Sequence, residues 1–243
     1  MLTARFWSAS SRSRARSLPN DTRCFATPTE GLYAVVDARG PTYGGWHRPC
    51  GPDAAWSALV SSVQKTGSTT LLNAIADGLR DANSAALSAD PDWQHRSPGA
   101  ALSHPALSIC LVAFGPCRAV AAGVGNCRVY LRRAERWSIV VPEQTLATAH
   151  PEIDLPKEMT GEAAQVLGLR PSVVPHFWSD DPQPDDVFLL CTQEVWDSCA
   201  DDIPAKHVAP DRLLETLPPL VDPLGGNASA CVVTPHWGHP AQR

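Results

Sequence analysis

One acidic residue stands at the end of an unbroken apolar run, a position that can carry chemistry. The run from Gly31 to Val36 leads directly to Asp37, and a turn, Ala38-Arg39-Gly40, follows. This pattern predicts a buried strand that presents the Asp37 carboxylate at its end. A carboxylate in that place can serve a reaction, or it can simply cap the turn, as aspartate often does. Other segments of the chain must decide between the two.

The patterns of several other reactive sites are absent from the sequence. Ser61, Ser62 and Ser68 lack the glycine pattern of a nucleophile elbow, and the chain holds no Walker loop or dinucleotide fingerprint. None of the eight cysteines forms a C-x-x-C pair, so neither a zinc ribbon nor a thioredoxin motif is supported. Cys110 and Cys191 lie inside apolar runs. They are predicted to be buried thiols, which favours a reducing, cytoplasmic compartment.

Composition places the chain among ordinary globular proteins. Of its 243 residues, 44% are hydrophobic, enough for one full core. The net charge of −5 argues against a general nucleic-acid surface. No apolar run approaches the roughly 18 residues that a membrane-spanning helix needs.

The N-terminus allows two interpretations. Residues 1–20 contain arginines and serines but no acid, which is the composition of a transit peptide. Alternatively, Arg5 to Ser10 is already the first strand and Arg16 belongs to a functional site.

Hydrophobic periodicity predicts helices interleaved with groups of strands. Helices are predicted over Asp53–Val63, Thr69–Leu87 and Ala205–Leu217, and one or two helical turns over Gln144–Ala149. In the second helix, Leu72, Ile75, Ala76 and Leu79 are expected to face the core. Strands are predicted over Leu107–Phe114, Arg118–Val124, Arg128–Leu131, Trp137–Val141, Val187–Cys191 and Ser229–Thr234. Gly115-Pro116 is predicted to be the hairpin turn between the first two, and residues 41–52, rich in Gly and Pro, are predicted to be a loop. Asp185 and Asp186 are expected to be solvated loop acids. This order favours antiparallel sheets covered by helices, in one domain rather than two.

Four segments carry motifs that recur together in one known family. They are Arg16-Ser17-Leu18-Pro19-Asn20-Asp21, Leu32 to Gly40, Ala122-Gly123-Val124-Gly125-Asn126-Cys127-Arg128-Val129-Tyr130 and Asp186 to Asp197. Gln165 to Arg170 and Gly226 to Val233 add two weaker matches. In order and spacing they resemble the R-S-L-N-E-D, L-F-A-V-x-D-G-x-G, A-N-V-G-D-S-R-x-Y and D-x-F-L-L-C-S-D-G-L-W-D segments of the metal-dependent protein phosphatases (PPM, or type 2C serine/threonine phosphatases).

The resemblance spans about residues 5–235 and implies an α+β fold. We expect a four-layer α-β-β-α sandwich with two central antiparallel sheets. It should form a single domain of residues 1–243, which ends in a tail over 236–243. It also implies a cleft in which two Mn²⁺ or Mg²⁺ ions activate a water for hydrolysis of a phosphoserine or phosphothreonine ester. The compact bacterial members, including those associated with type VI secretion, look most similar.

Some residues match the positions that do this chemistry in the family. The resemblance places Asp37 where a carboxylate bridges both metals and Arg16 where an arginine holds the phosphate. It places Asp21 at a supporting acid, and the backbone carbonyl of Ala38 at a further ligand position.

Other functional positions of the family have changed. Gln193 and Gly226 replace two aspartates that are direct metal ligands, and Asn126 replaces the aspartate of the G-D-S-R segment. Glu194, beside Gln193, is expected to point the opposite way on a strand. Two adjacent dications held by one or two carboxylates would repel each other strongly. We therefore expect one weakly held Mn²⁺ or Mg²⁺ ion or none, with little hydrolysis.

The sequence leaves three hypotheses open. The first is an impaired phosphatase-like domain that acts as a binding or regulatory module for a phosphorylated protein or a partner linked to a protein kinase. The second is an active enzyme with a rearranged site that uses Asp37, Asp21 and either Asp222 or Glu194. The third is a folded remnant without a selected role. In every case neither nucleic acid nor membrane is expected as a partner.

Overall fold

The computed structural model describes residues 2–10, 22–39, 50–65, 70–88, 106–198, 210–216 and 227–235. The predicted sites Arg16, Asp21 and Gly226 lie outside these ranges, as does Asp222. Strands β1 to β10 are Leu2–Ser10, Thr22–Thr27, Leu32–Arg39, Ala106–Phe114, Ala119–Val124, Arg128–Arg133, Arg136–Val141, His176–Asp180, Val187–Cys191 and Asn227–Pro235. Helices α1 to α5 are Cys50–Lys65, Leu71–Ser88, Leu146–Ala149, Gln193–Ser198 and Pro210–Thr216.

The described strands form two antiparallel five-stranded sheets. We call the sheet with strand order β2-β3-β4-β5-β8 the front sheet, and the sheet with order β1-β10-β9-β6-β7 the back sheet. In the front sheet, hairpins join β2 to β3 and β4 to β5, and the second turns at Gly115-Pro116 as predicted. The first strand extends over Leu2–Ser10 and pairs with β10, so the strand interpretation of residues 5–10 is confirmed.

Three apolar clusters bind four layers together. The first lies between α1, α2 and the front sheet and includes Leu59, Ile75 and Leu111. The second lies between the two sheets, and the third lies between the back sheet and α4 and α5. This is the predicted four-layer α-β-β-α sandwich. The runs from Leu32 to Val36 and from Val187 to Cys191 are buried throughout because each lies inside a sheet that is covered on both faces.

Several local predictions were wrong. Leu72 is 37% exposed, because Leu71 instead packs against the core cluster at the start of α2. The loop predicted over 41–52 ends early, since α1 begins at Cys50. Strands β2 and β8 were missed because each exposes part of its surface and neither has an unbroken apolar run. The helix expected over Ala205–Leu217 is seen over Pro210–Thr216, and residues 205–209 are outside the described ranges.

No helix in the described part of the chain is long and apolar enough to cross a membrane.

Candidate functional site

Asp37 lies near the end of β3 and is 3% exposed. Its neighbours in the sheet are Thr22 on β2 and Ser108 on β4. Both neighbours carry hydroxyl groups and both are buried, so the carboxylate stands in a polar pocket within an otherwise apolar sheet. Ala38 follows and pairs with Leu107. The predicted strand end with its acid is confirmed, whereas the roles of Asp37 and Ala38 stay predictions.

The loop between β5 and β6 packs directly on Ser108. Gly125 has a φ of 95°, and a Cβ there would collide with the Ser108 side chain, so both conformation and space require glycine. The Ser108 hydroxyl accepts a hydrogen bond from the backbone N–H of Asn126 at 3.3 Å. This contact brings the G-N-C-R loop beside the strand that carries Asp37.

Asn126 and Gln193 form a side-chain pair. The Asn126 Nδ2 donates to Gln193 Oε1 at 2.6 Å, and Asn126 is fully buried. The two residues at these motif positions, where the resemblance has aspartates, therefore meet as neutral amides joined by one hydrogen bond. In the described ranges, Asn126 Oδ1 has no hydrogen-bond partner, so this buried acceptor could still receive a donor.

The segment after β9 is a helix, which corrects the expectation for Glu194. Helix α4 begins at Gln193, and the carbonyl of Thr192 accepts hydrogen bonds from the N–H groups of Val195 and Trp196. Successive helical side chains differ by about 100° rather than 180°. Glu194 is therefore not forced away from the site, as it would be on a strand, and no bulge is required.

Cys127 is a buried thiol whose surroundings oppose its ionisation. A hydrogen bond with Cys110, burial and the nearby negative charges of Asp37 and Glu194 all raise the pKa of the Cys127 thiol well above its usual range. The thiol therefore stays neutral. The sequence motifs contain no signal for this cysteine, because the family carries serine there.

An arginine anchors α4 to the back sheet. Arg128 forms a fork with Glu143, with Nε and Nη2 donating at 2.5 and 2.9 Å. Its guanidinium also lies 3.9 Å from the centre of the Trp196 ring. The indole Nε1 of Trp196 donates to the backbone carbonyl of Asn126 at 2.9 Å. Glu143, Arg128, Trp196, Asn126 and Gln193 thus form one continuous chain of contacts.

The fork also affects the charge state of Glu143. Burial alone would raise the pKa of Glu143, but the hydrogen bonds and charge of Arg128 outweigh it and hold that pKa below its usual range. The fork therefore remains ionised at neutral pH.

Buried hydroxyl groups link the two sheets beside the cleft. Thr22 Oγ1 and Ser229 Oγ are 2.6 Å apart. The Ser229 backbone N–H donates to Thr192 Oγ1 at 3.2 Å. Thr22 belongs to the front sheet and Ser229 to the back sheet, so this contact fixes their separation. Sequence reasoning missed it because single hydroxyl residues carry no distinctive pattern.

Solved structures similar to this chain are bacterial phosphatases. PppA, described as a key regulatory component of the type VI secretion system in Pseudomonas aeruginosa, aligns with a TM-score of 0.71 at 18% identity, over 96% of this chain and 97% of its own. The PPM Ser-Thr phosphatase MsPP from Mycobacterium smegmatis aligns with a TM-score of 0.71 at 17% identity, over 97% and 98%.

A third structure is the catalytic domain of the serine/threonine protein phosphatase PstP in complex with two manganese ions. It aligns with a TM-score of 0.70 at 21% identity, over 96% and 99% of the two chains. The chain has the PPM phosphatase fold. No protein-family model and no curated protein sequence matches it, so the likeness to PPM phosphatases lies in the fold.

The described residues do not fit the pair of divalent cations seen in that PstP complex. Within the described ranges, no three His, Cys, Asp or Glu side chains are grouped so that they could hold a metal ion. Asp37 supplies an anionic oxygen, but the oxygen of Gln193 already accepts from Asn126. Neutral amides also offset far less of the charge on two dications than carboxylates would.

Proposed function

We propose that this chain is a serine/threonine phosphatase-like domain that hydrolyses phosphoesters poorly and acts as a binding or regulatory module. The observation that carries this proposal is the hydrogen bond between Asn126 and Gln193. Two carboxylates at these positions would repel each other without a cation, whereas two amides attract each other without one. The cleft is thereby suited to keep its shape in the absence of metal.

The retained framework supports a binding role. The contacts of Arg128, Trp196 and Ser108 still hold the G-N-C-R loop and α4 in place. A phosphorylated protein, or a partner linked to a protein kinase, is the proposed ligand, with Arg16 as the proposed phosphate contact. A regulatory role is in keeping with PppA, the similar structure that is described as a regulatory component of a secretion system.

We place this module in the cytoplasm, as one domain over residues 1–243. The described cysteines carry thiols, which suits a reducing compartment. One weakly held Mn²⁺ or Mg²⁺ ion, or none, is the expected metal content.

Hydrolysis of a small aryl phosphate tests the proposal directly. Purified protein is assayed with and without millimolar Mn²⁺, beside an Asp37→Ala variant of the same preparation. We expect no turnover above that of the variant in either condition. Turnover that requires both Mn²⁺ and Asp37 would show that the proposal is wrong.

The active alternative has one specific observation in its favour. The negative charges of Asp37 and Glu194 both raise the pKa of Cys127, and Glu194 follows Gln193 directly at the start of α4, so a carboxylate stands next to the changed motif position. In this alternative Asp37 and Asp21, with either Asp222 or Glu194, form a rearranged metal site. Glu194→Gln would then abolish the Mn²⁺-dependent turnover that the aryl phosphate assay had detected.

Restoring the family residues tests the assignment of ligand positions. Isothermal titration of Mn²⁺ into Gln193→Asp/Gly226→Asp should show tighter binding than in the wild type, because two carboxylates join Asp37. Gln64→Asp, on the exposed face of α1, adds one negative charge away from these positions and should leave binding unchanged. Equal Mn²⁺ affinity in the wild type and the double variant would refute the assignment.

A further inference from the structure

The chain between β7 and β8 is fastened to the sandwich by amide side chains and by the backbone pairing of Leu167 with Leu107 on β4. Gln144 Oε1 accepts from the N–H of Gly125 at 3.1 Å, and Gln144 Nε2 donates to the carbonyl of Val174 at 2.8 Å. Asn83, buried on α2, donates to the carbonyl of Arg170 and accepts from the N–H of Gly168, both at 2.9 Å. Residues 144–175, called here the bridging segment, are thus tied near both of their ends.

The middle of the bridging segment rests on the cleft. A Cβ atom added at Gly161 would collide with Nε2 of Gln193, and the next nearest atoms also belong to Gln193. The Gln193 side chain therefore lies between Gly161 on one side and Asn126 on the other. One amide joins the bridging segment to the loop that neighbours Asp37.

The bridging segment has few other anchors near Gly161. Its 3-10 turn, Lys157–Met159, and the residues around it are mostly exposed. Two backbone hydrogen bonds hold this part to residues 144–146: the N–H of Leu146 donates to the carbonyl of Glu162, and the N–H of Ala164 donates to the carbonyl of Gln144, both at 2.7 Å. Exposed segments held by few buried contacts open at low free energy, so the contact with Gln193 matters for the order of this part.

We propose that Gln193 is a joint that couples the cleft to the bridging segment. When the Gln193 amide stays on Asn126, its outer face supports Gly161 and the segment is closed. Anything in the cleft that draws this amide away removes that support and loosens the segment. An event beside Asp37 is thereby reported at the surface, which is the output that a regulatory module needs. The joint depends only on the contacts of Gln193 with Gly161 and Asn126, and it holds whether or not the chain hydrolyses phosphoesters.

Hydrogen exchange measured residue by residue tests the joint. In the full-length Gln193→Ala variant, the amides of Leu146 and Ala164 should exchange roughly tenfold faster than in the wild type. Exchange in β9, at Leu189 and Leu190, should stay unchanged. Gln64→Ala, which removes an exposed glutamine from α1, serves as the matched control and should alter neither region.

Two results would overturn the proposal. Unchanged exchange at Leu146 and Ala164 would mean that Gln193 does not support the segment. Equal acceleration in β9 would mean that the variant is destabilised throughout and that no local coupling exists.

A substitution at Gly161 tests the contact with Gln193 from within the bridging segment. Gly161→Ala should push the Gln193 amide off Asn126 and lower Tm by roughly 2–4 °C, the shift expected for the loss of one hydrogen bond in a domain of this size. The same change made in a Gln193→Ala background should shift Tm by less than about 1 °C. Equal shifts in both backgrounds would contradict the joint, because the cost would then come from the backbone at Gly161 and not from Gln193.

Discussion

Strand β6 begins with Arg128 and ends with Arg133. The two arginines connect different parts of the molecule. Arg128, at the cleft end, forks onto Glu143 and stacks on Trp196. Arg133, at the far end, forks onto Asp186 with both donors at 2.8 Å and also donates to Asp180 at 2.6 Å. Asp180 ends β8 of the front sheet, so Arg133 ties one sheet to the other. Arg128 instead ties the back sheet to helix α4.

The comparison separates a carboxylate pairing that supports the fold from the amides that stand at phosphatase motif positions. At the far end, the carboxylates of Asp180 and Asp186 are paired with Arg133, and this pairing has no connection with a reaction. At the cleft end, Asn126 and Gln193 replace two carboxylates of the phosphatase motifs, yet Arg128 and Trp196 remain. The contacts that hold the framework are present beside the neutral pair of Asn126 and Gln193, as the proposed binding module would require.

The largest effect is expected at the far end. Arg133→Met leaves the fully buried Asp186 without its cation, so the free energy of unfolding should fall by about 3–5 kcal/mol. Urea unfolding followed by circular dichroism measures this loss. Arg132→Met, at the neighbouring and partly exposed position, is the control and should cost far less. A loss below about 1 kcal/mol for Arg133→Met would show that the two ends do not differ in the way described.

A smaller effect is expected at the cleft end. Arg128→Lys keeps the charge but loses the two-pronged fork and the flat surface that stacks on Trp196. We expect a loss of about 2 kcal/mol, with a change in tryptophan emission as α4 loosens. Arg132→Lys should alter neither property. If emission stayed constant while stability fell, Arg128 would not be positioning the helix.

The free energy of unfolding, measured as a function of pH in the acid range, tests the role of Glu143. Because its pKa is lowered in the folded protein, the unfolded state binds more protons at low pH. The stability contributed by the fork is therefore present above the ordinary pKa of 4.5 and is lost as pH falls below it. In Glu143→Gln, the free energy of unfolding should depend less on pH in that range. Parallel curves for variant and wild type would contradict the assignment.

The smallest effect is expected for the partly exposed ion pair between Arg133 and Asp180. The hydrogen bond from Arg133 holds the pKa of Asp180 below its usual range, but the Asp180 side chain is about half exposed. Exposed ion pairs contribute about 0–1 kcal/mol, so Asp180→Asn should lower the free energy of unfolding by no more than that. A loss as large as that of Arg133→Met would mean that Asp180, and not Asp186, is the partner that matters.

Much of the fold could be predicted because its signals are local. The apolar runs that end at Asp37 and Cys191 were recognised as buried strands, and Gly115-Pro116 was recognised as a hairpin turn. Strands β2 and β8 were not recognised, since edge strands bury one face only in part and lose the regular alternation. Asp186 was expected to be a solvated loop acid but is fully buried, because its partner Arg133 lies 53 positions away.

The sequence identifies candidate positions for the site but not the contacts between them. The replacements at Asn126 and Gln193 are visible in the motifs, but the hydrogen bond between them is not. Glu194 was misplaced because the helix that carries it begins only where β9 leaves the sheet. Cys127 carried no signal, since its proximity to Asp37 and Glu194 comes from three separate segments.

The sequence by itself determined the order of elements and the buried strands, and it shows amides at Asn126 and Gln193, where the motifs that it resembles carry aspartates. Periodicity and residue type suffice for these because they depend on neighbours along the chain. Only the tertiary structure decided that the two substituted side chains bind each other and that Gly161 rests on Gln193. Contacts between residues far apart in sequence depend on how the sheets and the loops pack, and no local pattern encodes that geometry.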